Sequence, residues 1–116
     1  MSGDILLVER LIGRFPELRD LYECHVFNNG ELLPHVFFWD VVQDVLAAYL
    51  GRSSDLPEWR PVLDFLEEEY RRGDDCGREV IVTSFLDSLP YPGQEAHEIV
   101  AHLGPDLAAV LMRLRL

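Results

Sequence analysis

No lysine occurs in this chain of 116 residues, cysteine occurs twice, and no run approaches 18 uninterrupted apolar residues. Each scarcity excludes something. Without a long apolar run there is no candidate membrane-spanning helix, and the opening Met-Ser-Gly-Asp lacks the basic stretch followed by an apolar one that marks a secretory leader. A cytoplasmic protein is the expectation. Cys24 and Cys76 lack the C-x-x-C spacing of a redox pair or a zinc knuckle. One disulfide is arithmetically open, but two buried or idle thiols suit a reducing compartment better. All ten basic residues are arginine, which a GC-rich coding genome explains without reference to function. Against them stand 21 acidic residues, a net charge of −11. Polyanion binding draws its affinity from Lys and Arg displacing counterions, so nucleic-acid and anionic-membrane roles are disfavoured and a cationic partner is favoured.

What is present is apolar periodicity. A chain of this length removes roughly two-thirds of its unfolded surface from water, enough for one core, so residues 1–116 are read as a single domain. Asp4 is placed to cap a first helix through Ile5, Leu6, Val8, Leu11 and Ile12. Glu17 to Phe27 reads as a second, stopped by Asn28-Asn29-Gly30. His35 to Leu50 is the strongest segment, apolar on most sides around a stripe of Asp40, Gln43 and Asp44, and is therefore placed at the centre of the fold. Arg52 to Pro57 is a loop. The next helix, Val62 to Arg72, turns Val62, Leu63, Leu66 and Tyr70 inward, with Asp64 and Glu67 to Glu69 mainly outward. In Glu79 to Leu89 the β-branched run Val80 to Thr83 also suits a short strand, but the 3.6-residue period through Ile81, Val82, Phe85, Leu86 and Leu89 favours helix. Gln94 to Leu103 and Pro105 to Leu114 complete about seven short antiparallel helices. The expected class is all-α, a compact bundle resembling a small α-solenoid, without a detectable repeat.

Catalytic and metal motifs are weak. His97-Glu98 opens like a zincin helix, but His102 follows at i+5, about 140° away around the helix from His97, and the motif needs i+4. Both histidines read as surface or rim residues. His25, Glu31, His35 and Asp40 lie close enough in sequence to gather around a zinc-like ion, which leaves a metal-dependent enzyme as the alternative. Against it stands a plainer reading, a polar cluster that fixes the Asn28 to Pro34 loop. Cys24 and His25 are adjacent and so point about 100° apart, and Ser84 lacks the glycines of a nucleophile elbow. No catalytic residue, cofactor or metal is assigned.

Charge distribution says more. Residues 31–58 hold five acids and one arginine, whereas the acids of residues 59–79 are interleaved with Arg60, Arg71, Arg72 and Arg78. Glu67 to Glu69 is thus read as solvated surface, and Asp40 and Asp44 beside Glu31 as an acidic patch free to meet a partner. The stretch His25 to His35, then Phe38-Trp-Asp40-Val, Pro61 to Asp74, Thr83 to Asp87 and Leu103-Gly-Pro105, resembles a group of small bacterial helical proteins similar to the HEAT-like immunity proteins of polymorphic toxin systems. That resemblance implies binding and neutralisation of a toxin domain. Combined with the charge, it leads to a protein-binding module for a partner with a basic surface, such as a nuclease-type toxin. Glu31, His35, Asp40 and Asp44 are the expected contacts and Trp39 or Phe38 the aromatic anchor. A helical adaptor that binds a peptide in a groove is a further alternative.

Overall fold

In the computed structural model, residues 3–53 and 55–115 are described; Met1, Ser2 and, in the loop expected at Arg52 to Pro57, Ser54 lie outside them. The chain is all-α, with no strand among the described residues. Among the described residues six α-helices run in order: α1 Gly3–Arg14, α2 Arg19–Asn29, α3 Pro34–Tyr49, α4 Trp59–Arg72, α5 Asp75–Val80 and α6 Pro105–Leu114. A 3₁₀ helix, His97–His102, stands between α5 and α6, and shorter 3₁₀ turns occupy Pro16–Leu18 and Leu86–Ser88.

Local chemistry sets most of the boundaries. Pro34 and Pro105 occupy first-turn positions of α3 and α6, where an N–H would have no intrahelical partner. Gly30 adopts φ 77° and its N–H closes α2 onto the Val26 carbonyl at 2.8 Å. Asp4 is not the cap expected of it. The helix has already begun at Gly3, so Asp4 lies in the first turn, near the positive end of the helix dipole, and accepts a hydrogen bond from the Ile5 N–H at 2.8 Å.

Two segments wind differently from expectation. Glu79 to Leu89 is helical and not a strand, but α5 starts earlier, at Asp75, and gives way to a π turn at Ile81–Phe85. There the Thr83 hydroxyl donates to the Glu79 carbonyl at 2.7 Å, competing for the acceptor that an α-helix would give to the Thr83 amide. Gln94 to Leu103 is not one helix either. Gly93 at φ 89° and Ala96 at φ 68° break the α path, and only the 3₁₀ helix remains.

α3 is central, as its composition predicts: Phe37, Phe38, Val41, Val42 and Val45 are sealed from solvent on one half of the helix, and α1, α2, α4, α5 and the π turn pack around it. The radius of gyration, 13.4 Å, matches the ~13 Å of a compact globule of this length, so the helices close on one core.

The largest correction concerns α4. Glu68 is exposed, but Glu67 and Glu69 are buried, at 7% and 2% exposure. Both stand at the margins of the apolar face, where a neighbouring element can cover them, and each is satisfied there. Glu69 accepts two hydrogen bonds from Arg10 of α1, at 2.6 and 3.0 Å, and one from Arg72 at 3.2 Å. Glu67 accepts from the Asp106 and Leu107 backbone amides at 3.0 and 2.9 Å and pairs with Arg71 at 3.0 Å. It is therefore the N-terminal cap of α6, supplied from another helix, because Gly104 has no side chain with which to cap.

Candidate functional site

The two halves of α3 differ in kind. Opposite the buried side, His35, Trp39, Asp40 and Gln43 are exposed and Asp44 is half-buried. Glu31 is exposed in the loop that leads into the helix. Trp39 is 51% exposed, an indole with one side free, whereas Phe38, the other aromatic candidate, lies wholly in the core. Asp40 and Asp44, at i and i+4, sit one turn apart on one edge of the exposed half.

Among the described residues ion pairs hold Glu67, Glu69, Glu95 and Asp106, and Glu31, Asp40 and Asp44 belong to the larger group of carboxylates that have none. Arg10, Arg52, Arg71 and Arg72 are paired with Glu69, Glu95, Glu67 and Asp106. No arginine among the described residues reaches Glu31, Asp40 or Asp44. Partial burial of Asp44, and then the charge of Asp40 beside it, push the Asp44 carboxyl above the usual carboxylate range. The patch is therefore a pair of like charges, one of them partly desolvated, without an internal counterion.

His35 has an internal role as well. Its Nδ1 lies 2.6 Å from the Ser84 hydroxyl and 3.2 Å from that of Thr83, which ties the start of α3 to the π turn. The Thr83 proton already goes to the Glu79 carbonyl, so towards His35 this hydroxyl accepts. Ser84 is sealed from solvent. Its contact with an imidazole is thus a structural tie, because no substrate carbonyl can reach the hydroxyl.

The alternative metal cluster is not assembled. His25 is buried on α2 and its Nε2 accepts the Leu33 N–H at 2.9 Å, so that lone pair is committed to holding the loop before α3. Asn29 closes the same corner with a 2.8 Å bond to the His25 carbonyl. His25 therefore fixes the Asn28 to Pro34 loop, as the plainer reading had it. Among the described residues no three His, Cys, Asp or Glu side chains stand where they could hold a metal ion. Cys24 and Cys76 are free and exposed, not buried, and desolvation together with Asp74, Asp4, Glu79 and Asp75 pushes the Cys76 thiol up, away from the thiolate a nucleophile needs. His97 and His102 are half-buried, and His102 Nδ1 lies 2.9 Å from the Arg60 guanidinium.

A feature without a sequence signal lies just beyond the patch. A surface cavity of ≈ 520 Å³ is lined by Ala48, Ser53, Leu56, Glu58, Trp59, Arg60 and Pro61, between the end of α3 and the start of α4. Tyr49 and His102 meet the Trp59 ring edge-on, each at 4.9 Å between centroids, and hold it in place.

Fold and site together define a small all-helical protein with an unpaired acidic patch on its central helix. No described helix is long and apolar enough to cross a membrane. The chain belongs to the family described as a domain of unknown function (DUF7674), which matches residues 8–116. No curated protein and no solved structure matches it.

Proposed function

We propose that this protein is a binding module whose α3 face, His35, Trp39, Asp40 and Asp44, together with Glu31 in the preceding loop, meets a partner with a basic surface. One observation carries the reading: Asp44 is partly desolvated beside Asp40, and among the described residues no arginine reaches either, the four ion-paired arginines being held by other carboxylates. An unbalanced pair of this kind costs stability in the free protein and is relieved when a cation docks on it. Trp39 supplies the amphipathic area that anchors such interfaces. Such a face suits an immunity protein, since a nuclease-type toxin needs basic surface to hold nucleic acid and an acidic protein can occupy that surface in its place. The cytoplasm, where such a toxin would act, is the corresponding location.

The test is direct. A nuclease-type toxin domain with a basic surface is titrated with the native chain and with Asp40→Arg/Asp44→Arg. Expected is a salt-dependent affinity that the double variant weakens at least a hundredfold, chiefly through slower association. An affinity that the double variant leaves unchanged overturns the site.

A further inference from the structure

The cavity beyond α3 gives this interface a second component. Asp40, Asp44 and Ala48 follow one another at i, i+4 and i+8, so the acidic edge of α3 runs directly into the cavity wall. About half of that wall is apolar, from Ala48, Leu56, Trp59 and Pro61, and Ser53, Glu58 and Arg60 supply the rest. Arg60 is already engaged, its guanidinium 4.9 Å from the Trp59 ring centroid and bonded to His102. Glu58, also in the lining, and Asp55 nearby have no ion-pair partner among the described residues. The approach to the apolar side of this recess is thus negative, and a basic segment that carries one apolar side chain is its complement.

We infer that the cavity takes one bulky apolar side chain of the basic partner, with basic residues two and four positions away along an extended segment meeting Asp44 and Asp40. This rests on the reading proposed above and adds the recognition element. The spacing follows from chain geometry. One turn of α3 separates Asp44 from Ala48 by about 6 Å and Asp40 by about 12 Å. Alternate residues of an extended chain share a face at about 6.6 Å intervals, and every fourth at about 13 Å. The apolar residue gives the recess a partner that no charge repels, and the two bases fix its register.

The probe is the blocked peptide Phe-Gly-Arg-Gly-Arg-Gly-Phe, which reads the same in either chain direction, compared with Ala-Gly-Arg-Gly-Arg-Gly-Ala by calorimetric titration at low salt. The phenylalanine peptide is expected to bind the native chain at least tenfold tighter. Ala48→Trp, which fills the recess, should remove that difference and leave the affinity for the alanine peptide, and Asp40→Asn/Asp44→Asn should weaken both. Equal affinities for the two peptides, both lost in the Asn variant, overturn the cavity assignment and leave the acidic face standing. Absence of salt-dependent binding by either peptide overturns both. The first comparison needs no variant, so it stands even where Ala48→Trp fails to fold.

Discussion

Asp44 carries a cost at neutral pH that can be measured without a partner. Its folded carboxyl titrates above the ordinary range because burial, and then Asp40, disfavour its charge. The folded state therefore holds that proton to higher pH than the unfolded chain does, and stability falls as pH rises from the ordinary aspartate range, about 3.9, through the raised folded value. Asp44→Asn is accordingly expected to raise the melting temperature slightly at pH 7, the effect being small because solvent screens a carboxylate this exposed, and to change nothing at pH 3. Melting curves of both proteins at the two pH values decide it, and an equal effect at both would mean that packing, not charge, is responsible. The exposed position of Asp40 was legible in the sequence, because it belongs to a polar stripe on an otherwise apolar helix. The burial of Glu67 and Glu69 was not. A glutamate at the margin of an apolar face is outward unless another element covers it, and what covers these two, Arg10 and the start of α6, lies 59 and about 40 residues away in the chain.

Between elements, the joint of α4 with α6 depends on one carboxylate and one missing side chain. Glu67 satisfies two amides of α6, and a Cβ on Gly104 would stand 2.5 Å from the Glu67 carboxyl carbon. Glu67→Ala should therefore cost about 2–3 kcal/mol, since it leaves buried amides unpaired. Gly104→Ala should destabilise by a similar route, by displacing the carboxylate, so that combining the two costs less than their sum. Denaturant melts of the two single variants and the double close this cycle, and strict additivity would show that Gly104 does not act through Glu67. The helices themselves were readable from apolar spacing and from the Pro and Gly residues at their ends. The π turn was not, because its cause is one hydroxyl, that of Thr83, taking a carbonyl from the backbone ladder. The break before the 3₁₀ helix was equally hidden, since alanine at position 96 does not announce a left-handed backbone.

For the whole molecule, charge of one sign works against compactness. The body measures 36 × 33 × 22 Å, so at about 10 mM salt, with a screening length of about 30 Å, acids on opposite sides still repel; at about 100 mM, with about 10 Å, they hardly do. Raising sodium chloride across that interval is expected to raise the melting temperature by several degrees, whereas a fall would mean that the arginine ion pairs outweigh the repulsion. The all-α character was plain in the apolar pattern. The cavity was not, because its walls come from two helices and the loop between them. α3 has one further consequence. The helix that carries the acidic patch is also the one most of the core is built on, and amides such as those of Val41 and Val45 exchange with solvent only when the domain opens. A partner bound to the exposed half of α3 has to leave before that opening, so it slows exchange throughout the core by the factor 1 + [L]/Kd. A partner held on a peripheral loop would protect that loop alone.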